Sequence, residues 1–223
     1  MISEYKVQRE WSLVTWIVVI NIAVAVGSLT SLLLFGFDVL QYYGALRIDT
    51  LIRKEWWRFF TYMWLHADPL GWGVLHIMFN MATLWMFGKP VERILGKRGF
   101  LGLYFLGAFA AAGAFFLEFW IRCDFHTWVM ALLPHTVIGA SGAVVAIIAF
   151  FSCEHPDVRV YIMFIPFAIK IKYAVIGFVV VSAAMLFYPP LAFIGHSAHI
   201  GGIVLGYLWW VGWNLLRRRA RSL

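Results

Sequence analysis

Charge is what this sequence has least of. Only 13% of its 223 residues are charged, while 63% are hydrophobic and the mean hydropathy is +0.82. A soluble domain carries roughly 25% charged residues, so that class is excluded and the chain reads as an integral membrane protein. Cysteine is scarce too: Cys123 and Cys153 are the two, and the topology below puts them on opposite sides of the bilayer, which excludes an intramolecular disulfide. The sequence has no HExxH, no periodic repeat and no low-complexity tract, which removes the usual signatures of a zinc protease, an inverted-repeat transporter and a disordered segment. The first apolar run, Trp11 to Phe37, has no small-residue cleavage site and is too long for a signal-peptide core, so it is expected to stay as a helix.

Apolar runs predict six spans: helix 1 over Ser12–Leu34, helix 2 over Gly73–Phe87 with Gly88-Lys89-Pro90 as its stop, helix 3 over Phe100–Ile121, helix 4 over Thr136–Phe151, helix 5 over Tyr173–Tyr188 before Pro189-Pro190, and helix 6 over Ser197–Leu216. Lys89 to Arg98 is then a short basic loop. Val158 to Ile169 has only twelve residues, ~18 Å as a helix, and is expected to lead into helix 5 without spanning. Between helices 1 and 2, residues 38–72 mix Arg47, Asp49, Arg53, Lys54, Glu55, Arg58 and Asp68 with Tyr42, Tyr43, Trp56, Trp57, Phe59, Phe60, Tyr62 and Trp64, the composition of an interfacial loop. The expected organisation is an N-terminal segment 1–11, a membrane-embedded unit 12–216 and a basic tail 217–223.

The net charge of +7 comes from basic residues gathered between apolar runs and at the C-terminus, which points to membrane orientation and not to nucleic acid. Of the 18 Lys and Arg residues, thirteen fall on the side of the termini; Arg47, Arg53, Lys54, Arg58 and Arg122 are the five opposite. The positive-inside bias therefore puts both termini in the cytoplasm, and helices 2, 4 and 6 run inward.

That topology brings Ser141, near the outer start of helix 4, to the same depth as His199, near the outer start of helix 6. Helix 2 adds His76 and Asn80, which share a face at i and i+4. Polar residues inside spans are expensive and mark function. A serine hydroxyl becomes a nucleophile when imidazole takes its proton, and Asn80, His76 and the Ser141 backbone N–H are suitable donors for the oxyanion that attack creates. The GxxxG pair Gly202 and Gly206 on helix 6, with Gly139 and Gly142 around the serine, allows the close helix approach this chemistry needs. With no Asp or Glu inside helices 2, 4 or 6, a Ser–His dyad fits better than a triad. His196 shares the neighbourhood of His199 in a loop or supporting role; His66, His126 and His135 read as interfacial, and Trp57-Arg58 as an anchor of the outer loop. A rival class, a metal or haem site, would use His76, His196 and His199 but leaves Ser141 and its glycines without a purpose. A histidine proton relay in a transporter is disfavoured because Glu118, the only carboxylate inside a predicted span, lies near the end of helix 3.

These residues resemble the rhomboid intramembrane serine proteases. The likeness rests on Trp57-Arg58 in the outer loop, His76 and Asn80 as HxxxN, Gly139-Ala140-Ser141-Gly142 as GxSG, and Ala198-His199 with Gly202 and Gly206 as AHxxGxxxG. It spans about Trp57 to Gly206, and the four motifs come in the family's order. The resemblance implies an all-α bundle of six transmembrane helices, Ser141 as nucleophile, His199 as general base, and His76 and Asn80 as oxyanion stabilisers. It implies cleavage of transmembrane protein substrates near the outer face of a membrane, expected here to be a bacterial plasma membrane, with no cofactor and no metal. Many relatives carry an aromatic against the catalytic histidine four residues after the nucleophile; this sequence has Val145. A relative that binds transmembrane helices without cutting them is the alternative, and retention of both Ser141 and His199 argues against it.

Overall fold

The computed structural model describes residues 11–67, 72–122, 136–162, 166–186 and 195–222. Expectations for residues 1–10, Asp68, Cys123, His126, His135 and Pro189-Pro190, and for the end of predicted helix 5, lie outside the described residues.

Helix α1 is Leu13–Phe35. Ser12 caps it by accepting from the Thr15 N–H at 3.2 Å, and the carboxylate of Glu92 accepts from the N–H groups of Leu13 and Val14 at 3.0 and 3.4 Å. Three orphan donors of the first turn are thereby satisfied. Short helices α2 (Val39–Gly44), α3 (Thr50–Arg53) and α4 (Arg58–Thr61) follow in the outer loop, with strand β1 (Leu46–Arg47) between the first two and a 3-10 turn over Tyr62–Trp64 after the last. This loop is not wholly interfacial: Tyr62, Met63 and His66 are buried. Arg58 donates to the carbonyl oxygens of Tyr42 and Ala45 at 3.1 and 2.8 Å and pairs with Glu55, while Trp57 Nε1 donates to the Tyr43 carbonyl at 3.0 Å. Both side chains anchor the loop upon itself.

Helix α5, Trp72–Arg122, corrects the expected stop at Gly88-Lys89-Pro90. The helix runs through Pro90 and breaks at Gly96, where φ is +70° and ψ 170°. Proline costs one helical hydrogen bond, and the turn around it is held by packing: Val91 is fully buried and Glu92 is committed to the start of α1. The residues expected as a basic loop, Lys89 to Arg98, are therefore helical apart from a kink that divides α5 into two arms at Gly96, the residue that can adopt positive φ.

The second correction concerns helix 4. Thr136–Val137 is strand β2, paired antiparallel with β1 (Leu46 opposite Val137, Arg47 opposite Thr136), and helix α6 begins only at Ser141, ending at Glu154. Gly139, at φ +121°, cannot be helical, so the chain turns there from strand to helix. Beyond α6, Arg159–Val160 and Ile169–Lys170 pair as strands β3 and β4, and α7 follows as Ile171–Met185. Within the stretch expected before helix 5, the described residues supply these paired strands in place of a helix. Helix α8, His196–Arg221, takes in the arginines of the expected tail, with Arg218, Arg219 and Arg221 in its last turn.

Extending the helices brings in two carboxylates that the expected boundaries left out: Glu92 on α5 and Glu154 on α6. Glu154 accepts from Trp210 Nε1 at 3.1 Å and pairs with Arg217 at 2.5 Å, fastening the far ends of α6 and α8. Thirteen residues of helix, ~20 Å, separate it from Ser141, so it adds no third member to a dyad.

Helix α6 is the centre of the molecule. Ala143, Ala146, Ile147 and Phe150 are fully buried, and the helix packs against both α5 and α8. Unlike the equally apolar α7, of which only Ile171 and Ser182 are buried, α6 has no exposed residue and is surrounded by other parts of the chain. By length and composition two helical stretches can cross a bilayer, Leu13–Phe35 and Gly73–Ile121; Ser141–Glu154 and Ile171–Met185 are shorter apolar helices.

Candidate active site

Three elements converge at the start of α6. Strand β2 delivers the chain, the Gly139 N–H donates to the Tyr62 carbonyl at 2.9 Å, and the Tyr62 hydroxyl donates to the Ala108 carbonyl of α5 at 2.5 Å. Ser141 thus leads α6 from a turn clamped by the outer loop on one side and α5 on the other. As the first residue of the helix it sits at its positive end, where the N–H groups of Ser141, Gly142 and Ala143 have no carbonyl of their own helix to donate to.

Helix α8 meets α6 through its glycines. A Cβ on Gly202 would overlap the Gly142 carbonyl and stand 2.8 Å from Val145 Cγ2; one on Gly206 would overlap the Ala146 carbonyl and stand 2.8 Å from Ala149 Cβ. Backbone-to-backbone contact at two successive turns brings His199, one turn before Gly202, onto Ser141. The distance from His199 Nε2 to Ser141 Oγ is 3.0 Å. A hydroxyl that donates to Nε2 requires the ring proton on Nδ1, and Nδ1 is buried with no hydrogen-bond partner among the described residues. Among the described residues no third side chain is hydrogen-bonded to the His199 ring.

His76 lies across the turn: a Cβ on Gly139 would be 3.1 Å from its Cε1, 3.4 Å from its Nε2 and 3.7 Å from Ser141 Oγ. Glycine at 139 is thus required twice, for its φ and for the space His76 occupies. Asn80 is buried, and its amide nitrogen donates to the His76 carbonyl at 3.0 Å, so one of its two N–H groups is engaged with its own helix. Of the four site residues read from the sequence, Ser141 and His199 are hydrogen-bonded, His76 flanks them, and Asn80 lies one turn behind His76.

Three other rings belong to this neighbourhood. His66, expected at the interface, is 4% exposed and packs edge-on to His76 with centroids 5.4 Å apart. His196, expected in a loop or support, is the first residue of α8, buried, with its ring 6.3 Å from that of His199. Phe178 of α7 lies 5.4 Å from the His199 ring at 42°, a contact no spacing in the sequence announces because it joins two helices. Among the described residues no group of three or more His, Cys, Asp or Glu is arranged to hold a metal ion, and His76, His196 and His199 do not form one.

A family model described as the rhomboid domain matches residues 53–218, which includes every residue of this site. The chain belongs to the rhomboid family. This is a family of integral membrane proteins, in keeping with the apolar helices. Among similar proteins, the rhomboid chain is 28% identical over 142 residues to presenilin-associated rhomboid-like protein A, mitochondrial, of Danio rerio, covering 63% of this chain and 34% of that one. It is 36% identical over 90 residues to the putative rhomboid protease YdcA of Bacillus subtilis, covering 40% and 37%. With the rhomboid protease AarA of Providencia stuartii it shares 24% identity over 207 residues, covering 86% of this chain and 65% of that protein. These matches span from about a third to just under two thirds of the relatives' own lengths.

Proposed function

We propose that this rhomboid chain is an intramembrane serine endopeptidase that cuts transmembrane protein substrates with a Ser141–His199 dyad. The observation that carries the reading is the 3.0 Å contact of His199 Nε2 with Ser141 Oγ at the positive end of a buried helix. In the proposed reaction His199 accepts the hydroxyl proton as Oγ attacks the scissile carbonyl, then gives it to the leaving amine. The resulting acyl-enzyme is an ester on Ser141. Water, deprotonated by His199, attacks it and frees the acid and the serine. Negative charge on the tetrahedral oxygen falls beside the first N–H groups of α6, with His76 and Asn80 as further donors.

The proposed bundle has six spans, counting the two arms of α5 separately, with both termini on the cytoplasmic side. Helix α6 supports a recessed site: 14 residues rise ~21 Å against a hydrocarbon core of ~30 Å, so a helix ending at the inner boundary starts ~9 Å below the outer one. A substrate helix hides its carbonyls in hydrogen bonds and must unwind locally to present one there.

The test is to label the purified protein with a fluorophosphonate serine-hydrolase probe and map the modified residue. Adduct on Ser141, lost in His199→Ala, is the expected result. No adduct in a folded protein that also fails to cut any transmembrane substrate supports instead a rhomboid-like binder of helices.

A further inference from the structure

His199 has one hydrogen bond to fix its ring, the one to Ser141. Its Nδ1 has none among the described residues, and the terminal torsion of histidine is broad, so polar contacts leave the imidazole free to swing. Packing has to supply the rest. Among the described residues two rings pair with it: His196, from its own helix, at 6.3 Å between centroids, and Phe178, from α7, at 5.4 Å.

Phe178 is not a core residue. It is 41% exposed, and of α7 only Ile171 and Ser182 are buried, while Tyr173, Ile176, Val180 and Val181 are more than half exposed. A large ring on the least buried long helix is nevertheless set at 5.4 Å and 42° to the imidazole, inside the range of a favourable aromatic pair. Helix α6 offers no ring from the other side, because the residue one turn after Ser141 is Val145, and its Cγ2 faces Gly202.

We propose that Phe178 is a positioning residue: its ring backs the His199 imidazole and keeps Nε2 on Ser141, so that the base is set only while α7 is docked on α8. The proposal rests on the reading of Ser141 and His199 as a dyad. It assigns to a membrane-facing helix, which brings no hydrogen-bonding group to the reaction, control over the geometry of the base.

The experiment uses the full chain in proteoliposomes with one transmembrane substrate. It reads kcat, KM and the rate of fluorophosphonate labelling for wild type, Phe178→Ala, Phe178→Leu, Phe178→Tyr, His199→Ala and the double variant Phe178→Ala/His199→Ala. Thermal unfolding is followed for each; a side chain this exposed is expected to leave folding intact. Phe178→Ala and Phe178→Leu should lower kcat about three- to tenfold, the range that one aromatic pair supplies, with KM unchanged and labelling slowed by the same factor. Phe178→Tyr should stay within about twofold of wild type, and adding Phe178→Ala to His199→Ala should change nothing further, since the ring acts through the imidazole. Leucine performing as well as phenylalanine overturns the proposal, because shape alone would then suffice. A rise in KM with labelling unchanged also overturns it and makes Phe178 a substrate contact. If His199→Ala keeps full cleavage, the dyad itself fails, an outcome distinct from a dead His199→Ala beside a normal Phe178→Leu.

Discussion

Gly202→Ala should cost catalysis far more than one methyl group costs elsewhere on the same helix. The added Cβ would overlap the Gly142 carbonyl and stand 2.8 Å from Val145 Cγ2, where ordinary contact begins at 3.4 Å. Neither neighbour can yield by rotating: one is backbone, the other a β-branched side chain between two helices. Helices α6 and α8 must therefore part by ~1 Å at the turn that follows His199, and a 1 Å error at a reacting pair costs about a hundredfold in rate. The 3.0 Å contact of His199 with Ser141 opens with them. Overpacking of this kind destabilises by roughly 1–3 kcal/mol, so most of the chain stays folded. Gly212→Ala is the matched control. It lies on the same helix with nothing within 4 Å of its would-be Cβ, and alanine there should stabilise by about 0.5–1 kcal/mol and leave cleavage unchanged. The assay is cleavage of a reconstituted transmembrane substrate with thermal unfolding of each variant. Equal activity of the folded Gly202→Ala and Gly212→Ala proteins would refute the view that close approach of α6 and α8 sets the dyad.

Ser141→Ala and His199→Ala should each abolish most turnover, and the double variant should be about as slow as the worse single; a double slower by the product of the two factors would place His199 in a different step. Asn80→Ala should lower turnover about 100- to 1000-fold without unfolding, the cost of one oxyanion donor, and full turnover would make the amide purely a partner of the His76 carbonyl. At the β3–β4 hairpin, Lys170 and then Lys172, bonded at 2.8 and 3.1 Å, hold the Asp157 carboxyl below its ordinary 3.8. A depressed carboxylate stabilises above its unfolded value and loses that stabilisation as pH falls through the folded one, so the small melting-temperature gap between wild type and Asp157→Asn should close below about pH 4 and shrink in high salt. A reporter fused after Leu223 that is active only outside the cytoplasm should stay silent; activity would overturn the six-span count.

How much of this was legible in the sequence depends on the kind of force involved. A meeting of residues carried by residue type was readable: one serine and one histidine in glycine-rich apolar runs, expected to come together, stand 3.0 Å apart. Helix ends were less so, because tertiary partners override local signals. Gly88-Lys89-Pro90 is a stop by composition, yet Glu92 two residues on is needed at the start of α1, and the chain turns at Gly96 instead. Thr136 reads as the start of an apolar helix, yet its backbone pairs with Arg47, about ninety residues earlier, which no local pattern encodes. His66 and Tyr62 sit among charges and aromatics and read as interfacial; both are buried, because the outer loop folds inward against α5 and the turn before Ser141.

The late start of α6 is where fold and proposed function meet. Had the helix begun at Thr136, Ser141 would lie more than a turn inside it, with its N–H already bonded to Val137 and no free donors beside the hydroxyl. Strand β2 consumes those residues instead, and Gly139 turns the chain so that the serine opens the helix. That single displacement does three things: it shortens α6 to 14 residues, it puts the first N–H groups of the helix next to the Ser141 hydroxyl, and it ties the turn before Ser141 to Tyr62 and β1. The outer loop therefore acts as part of the site's scaffold. Its Arg58 clamp and Tyr62 bridge hold the position from which α6 brings Ser141 to His199.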